Sequence, residues 1–93
     1  MYTIAFTPSA ELAFHTVMSD LSKFRSLMMQ AEVQEVCIDL SGVSLCDSAG
    51  LALLIEAKRL CVSHGKALVI QKIPEQVRAL AEFCGVKDLW SMV

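Results

Sequence analysis

The chain has 93 residues, 55% of them hydrophobic, and its 8 Lys and Arg against 10 Asp and Glu leave a formal charge of -2. A mean hydropathy of +0.54 and an apolar content above the roughly 45–50% of an ordinary soluble domain call for a covered surface besides the core. No apolar run approaches the roughly 20 residues of a membrane span, no basic start and long apolar stretch mark a signal peptide, and the scattered cations argue against nucleic acid.

In chain order, Tyr2 to Thr7 carries β-formers and predicts a short strand that Pro8-Ser9 ends. Val17, Leu21, Phe24, Met28 and Ala31 recur at helical spacing and predict a helix over 17–31. Thr16 or Ser19 is expected to cap it, Asp20 suits the positive end of its dipole, and Lys23 and Arg25 lie outside. Val36 to Leu40 is a short apolar run, expected as a central strand covered on both faces. After the Ser41-Gly42 turn, a helix is predicted from Ser48 to Ser63, closed by His64-Gly65 with Gly at the left-handed position. Lys66 to Gln71 gives the next strand, completing a right-handed βαβ unit. Pro74 is expected at the first helical position of a helix carrying Val77, Leu80, Ala81 and Cys84 and closing at Gly85. Residues 86–93, with Leu89, Trp90 and Val93, are expected to add an edge strand or fold back. The length leaves room for one domain, 1–93, of α/β class, a small mixed sheet with about three helices.

Cys37, Cys46, Cys61 and Cys84 show no C-x-x-C pair and no neighbouring His at metal-ligand spacing. Each lies in or beside an apolar segment, where free Cys packs as a small hydrophobe. No metal or cofactor is expected, and reduced thiols point to the cytoplasm.

The stretch with most to offer is Val36 to Leu60, which runs from strand through loop to Asp47-Ser48-Ala49-Gly50 and into the apolar helix. Helical phasing sets Ser48, Ala52, Ile55 or Glu56, and Arg59 on one face, and Gly50 or Leu51, Leu54, Ala57 and Cys61 on the other, towards the sheet. The first face is expected to form a docking patch, with Val43 and Leu45 of the preceding loop extending it and Asp47 and Ala49 beside the hydroxyl. The bland alternative is that Ser48 and Asp47 simply cap the helix.

These residues resemble the STAS domain family: a hydrophobic strand (Val36–Leu40), a loop (Ser41–Cys46), a D-S/T-x-G motif (Asp47-Ser48-Ala49-Gly50) and an apolar helix (Leu51–Leu60). The resemblance continues through the strand Gly65–Ile70 and the helix Ile73–Gly85. Where many members carry G-x-L-D near the N-terminus this chain has Ala10-Glu11-Leu12-Ala13, and its start implies that the family's first edge strand is missing. The D-S-A-G-L-A-L-L run looks most like the cytoplasmic STAS subunits of Mla-type phospholipid ABC transporters. That likeness implies a non-enzymatic accessory subunit holding the transporter's ATPase, meeting a membrane only through that complex. The likeness to anti-sigma-factor antagonists implies the alternative, a partner kinase and phosphorylation of Ser48. Physics permits both, since a phosphate adds about -1.5 to -2 charges at a helix end that tolerates them but an apolar interface does not.

A hydrolase is disfavoured. The surroundings of Ser48 do not spell G-x-S-x-G, His15 starts another helix, and His64 stands at the far end of a helix roughly 24 Å long. No phosphate loop or dinucleotide fingerprint is present, so no catalytic residue is assigned.

Overall fold

A computed structural model describes residues 2–86 and 89–90. Its elements, in order, are β1 (Tyr2–Phe6), β2 (Glu11–Leu12), α1 (Val17–Met28), β3 (Val33–Asp39), β4 (Leu45–Cys46), α2 (Ser48–Ser63), β5 (Ala67–Gln71) and α3 (Glu75–Phe83).

Two sheets are built from these strands. β1, β3 and β5 form one in that order, both pairs parallel, and β2 pairs with β4 in a second, also parallel. Parallel neighbours need a crossover, and α1 and α2 supply it. Because the strand order advances steadily in one direction, crossovers of one hand put both helices on the same side. The burial pattern agrees: Val36, Ile38, Leu68 and Ile70 are buried against the helices, while Glu35, Cys37, Asp39 and Val69 on the other side are only half-buried. The run Val36 to Leu40 is therefore covered on one face, where both had been expected, and the strand begins earlier, at Val33. Within the α/β class expected from the pattern, every described strand pair is parallel.

The helices pack on that covered face, α1 against α2 and α2 against α3. Phe24, Met28, Val36, Ile38, Leu54, Ala57 and Val77 reach zero exposure. Phe24 meets Phe6 edge to face, ring centroids 5.7 Å apart, the geometry that aromatic quadrupoles favour. Leu89 is buried and Trp90 packs against the core, so this part of the C-terminal segment folds back; 87–88 and 91–93, including Val93, lie outside the described residues.

Several local expectations change. α1 stops at Met28 rather than at Ala31, and the Lys66 ammonium donates to the carbonyls of Met28 and Gln30, satisfying the helix end. Thr16 occupies the N-cap position but its hydroxyl turns back to accept the Ala13 amide at 3.0 Å, giving no cap bond. Asp20 lies in the first turn of α1 as expected, and it is also buried, its carboxylate accepting the Ser9 amide at 3.2 Å and the Ser9 hydroxyl at 3.0 Å. It ties the turn after β1 to α1. Pro74 sits one residue before α3, which begins at Glu75. His64-Gly65 ends α2 as the pattern predicts, with Gly65 at φ 67°.

Candidate functional site

The site grows from the start of α2. Asp47 is extended at the N-cap, and its Oδ1 accepts the Gly50 amide at 2.9 Å. Its Oδ2 accepts the Phe14 amide at 3.0 Å, reaching across to the loop that enters α1. These bonds, Gly50 first and Phe14 second, hold the Asp47 carboxyl below the usual carboxylate range. Capping is thus done by Asp47. Ser48 is the first residue of the helix, exposed, with its hydroxyl free of that duty.

Gly50 explains how close α2 comes to the small sheet. A Cβ there would stand 1.9 Å from the Leu12 carbonyl oxygen and 2.8 Å from its carbon, inside any real contact. Only glycine lets the first turn of α2 rest on the backbone of β2. Cys46, the last residue of β4, lies against the same spot, its Sγ 3.0 Å from where that Cβ would stand. Burial first and the Asp47 charge second push its thiol up to about 11, which leaves it protonated at neutral pH.

Around Ser48, the residues expected on one face fall as follows. Ala52, Ile55 and Arg59 are exposed along α2, Ala49 is half-buried, and Leu45 is exposed on β4 at 47%. Glu56 is half-buried and grips Arg59 through two bonds of 2.8 and 2.6 Å. Its carboxyl is held low by that hydrogen bond first, with the charges of Arg59 and of Arg25 on α1 adding to it. Val43 is the exception. It is buried at 6%, because the turn in which its amide donates to the Leu40 carbonyl at 3.0 Å folds it under the end of the sheet. It belongs to the core and adds nothing to an exposed patch.

Two large apolar residues not assigned from the sequence are exposed at the start of α1. Phe14 is 80% exposed and Met18 76%, large apolar groups on the α1 side of the Asp47 bridge. Their spacing of four was the available signal, one position off the stripe Val17, Leu21, Phe24 that turns inward. With Val17, Leu21, Ala49, Ala52 and Leu53, Met18 lines a cavity of 360 Å³ between α1 and α2.

No helix among the described residues is long and apolar enough to cross a membrane. His15 is engaged by Glu11 at 2.9 Å, and His64 sits past the far end of α2. Neither is arranged as a base for Ser48.

Comparison with known proteins agrees with this architecture. A family model described as "Mlab, STAS domain" matches residues 12–93. Proteins named anti-sigma-B factor antagonist, from Staphylococcus aureus strains NCTC 8325 / PS 47, COL and Mu50 / ATCC 700699, are each 30% identical over 79 residues, covering 85% of this chain and 72% of theirs. With the strand, the capped D-S-A-G turn and the apolar helix in place, the chain belongs to the STAS domain family.

Proposed function

We propose that this chain is a non-enzymatic regulatory protein of the cytoplasm, acting as one STAS domain that docks the Ser48 face onto a nucleotide-binding partner. The observation that carries this reading is the division of labour at the helix start. Asp47 caps, which leaves Ser48 exposed at the head of a helix whose Ala52 and Ile55 are exposed too, with Leu45 exposed on the strand before it.

For the partner, we favour an anti-sigma factor kinase, with Ser48 as the phosphorylated residue. The Staphylococcus aureus proteins named anti-sigma-B factor antagonist support it. A phosphate on Ser48 would sit at the helix N-terminus, where the dipole accommodates it, and would set about two negative charges into an apolar contact. Phosphorylation thus switches docking off while leaving the fold intact.

A second reading has its own support. The matching family model carries the description Mlab, and the D-S-A-G-L-A-L-L run looks like the STAS subunit of phospholipid ABC transporters. In that reading the same face constitutively clamps the transporter's ATPase, and the protein reaches a membrane only through the complex.

One experiment separates the readings. The protein and its Ser48→Ala variant are incubated with the kinase and ATP, and each is weighed intact. One added phosphate on the parent and none on the variant supports the switch. No phosphate, together with co-purification of the transporter ATPase, supports the clamp.

A further inference from the structure

The three-stranded sheet has two outer edges, and they are built differently. β5 is bracketed by Lys66 and Lys72, charged flanks of the kind that keep an open edge from pairing with another chain. β1 has no such guard, since Tyr2–Phe6 contains neither a charge nor a Pro. It pairs with β3 on one side, and among the described residues no backbone group bonds to its other side. The register shift between Tyr2 and Thr3 skips Gln34 of β3 and leaves β1 itself unbroken. A strand edge of this kind is a template for a further strand.

A trough runs along that edge. Ala5, Phe6 and Thr7 line a cavity of 530 Å³ that Ser22, Lys23 and Ser26 of α1 close from above. Ala5 pairs with Cys37 on the open face of the sheet and Phe6 with Ile38 on the covered one, so a cavity that meets both lies at the strand's outer edge. Ser22 and Ser26 stand one helical turn apart, and two such small side chains keep the α1 wall low.

The edge is also complementary to itself. Two copies of β1 laid antiparallel about Ile4 set Thr3 opposite Ala5 and Tyr2 opposite Phe6 in one twofold pair. Tyr2 is 48% exposed, and its partner Val33, like the Ile38 opposite Phe6, is buried under the helices. Both rings therefore belong to the covered face, and each Tyr2 enters the other copy's cavity beside Phe6 and Lys23. An aromatic ring there gains an aromatic neighbour and a cation. The like cations stay apart: each Lys23 lies by its own Phe6, and the two Phe6 positions are roughly 13 Å from one another along the ladder, beyond the Debye length of about 8 Å at physiological salt.

We propose that the outer edge of β1 pairs antiparallel with β1 of a second copy about Ile4, each Tyr2 seated in the cavity beside the other copy's Phe6. A ladder of 5 residues covers less than the roughly 800 Å² per partner of a stable interface, so the pair forms in a concentration-dependent way. It shares no residue with the Ser48 face and stands apart from the docking reading.

The test uses the full chain. Sedimentation velocity from micromolar to millimolar concentration should show monomer giving way to dimer. In an equal mixture of isotope-labelled and unlabelled protein, filtered NOE spectra should show the Tyr2 ring in contact with Phe6 of the other copy. Within one chain those rings are roughly 13 Å apart, too far for such a signal. Thr3→Lys with Ala5→Lys sets like charges opposite one another and should weaken association about tenfold, whereas Thr3→Lys with Ala5→Glu sets opposite charges together and should preserve or tighten it. Thermal melts check that each variant is folded, and the NOE arm uses the unaltered chain. A monomer at every concentration, a dimer without the Tyr2–Phe6 contact, or equal effects of the two double variants would each overturn the proposal. So would protection of the β1 amides from hydrogen exchange that appears only when purified kinase or ATPase is added, since the edge then belongs to that partner.

Discussion

The Asp47 carboxylate and the Phe14 amide, 3.0 Å apart, join the cap of α2 to the entry of α1. A residue that would ordinarily serve one helix end here fixes two, and the side chain of Phe14 is left exposed at 80%. The starts of α1 and α2 are therefore tied together by a bond to the backbone.

The two amide bonds to Asp47, from Gly50 first and Phe14 second, give a pH signature. The Asp47 carboxyl is held below its ordinary value of 3.8, with the Gly50 amide the main cause and the Phe14 amide next. A depressed folded-state value stabilises the protein above the unfolded value and ceases to do so as pH falls through the folded one. Asp47→Asn should thus lower the melting temperature at pH 7, and the gap to the parent should close between pH 4 and lower values. Thermal melts across pH 2–7 check this, and a gap that stays constant would contradict it.

Ala52→Glu is expected to abolish capture of the partner while shifting stability by no more than about 0.5 kcal/mol, as for ordinary surface changes. Ile55→Glu should behave alike. Quantitative pull-down paired with denaturant melts reads both effects.

Leu54→Ala should do the reverse. Leu54 has no exposure, and truncating such a leucine costs about 2–5 kcal/mol through lost burial and the cavity left behind. Urea unfolding measures the cost, and partner binding extrapolated to the folded fraction should be unchanged.

Gly50→Ala is expected to destabilise the fold despite alanine's better helix propensity, worth about 1 kcal/mol. The added methyl would meet the Leu12 carbonyl at 1.9 Å, and overpacking of that kind costs about 1–3 kcal/mol or more. A variant as stable as the parent by urea unfolding would show that β2 can withdraw.

Alkylation at pH 8 should modify Cys84 first, since it is exposed, with Cys37 next. Cys46, whose thiol is raised to about 11, and buried Cys61 should lag by at least about tenfold, because only the thiolate reacts. Peptide mass mapping over time gives the order.

The extent to which the sequence anticipates these features differs by element. α2 is legible because its period, its Asp cap and its closing Gly65 agree with one another. The ladder between Glu11–Leu12 and Leu45–Cys46 is invisible, since two residues carry no period. Val43 was misplaced because the bond from its amide to Leu40 is a matter of turn geometry, and an apolar loop residue looks the same whether it turns inward or outward. The one-sided cover of β3 depends on strand order, which no local pattern records; Cys37 and Asp39 tolerate a half-open face that the flanking Val36 and Ile38 do not suggest. The exposure of Phe14 and Met18 depends on how the entry of α1 is set by the Asp47 bond to the Phe14 amide, which no local pattern records.

The close approach of Gly50 to Leu12 has a consequence for recognition. Leu12 is paired to Cys46, its carbonyl accepts the Asp47 amide at 3.3 Å, and Asp47 in turn holds Gly50 at 2.9 Å. The chain closes on itself around Ser48 in a small ring of backbone contacts in which the short Asp47 carboxylate is the one side chain in series. A partner arriving at that hydroxyl meets a surface already in its final shape, so association loses little freedom on this side of the contact.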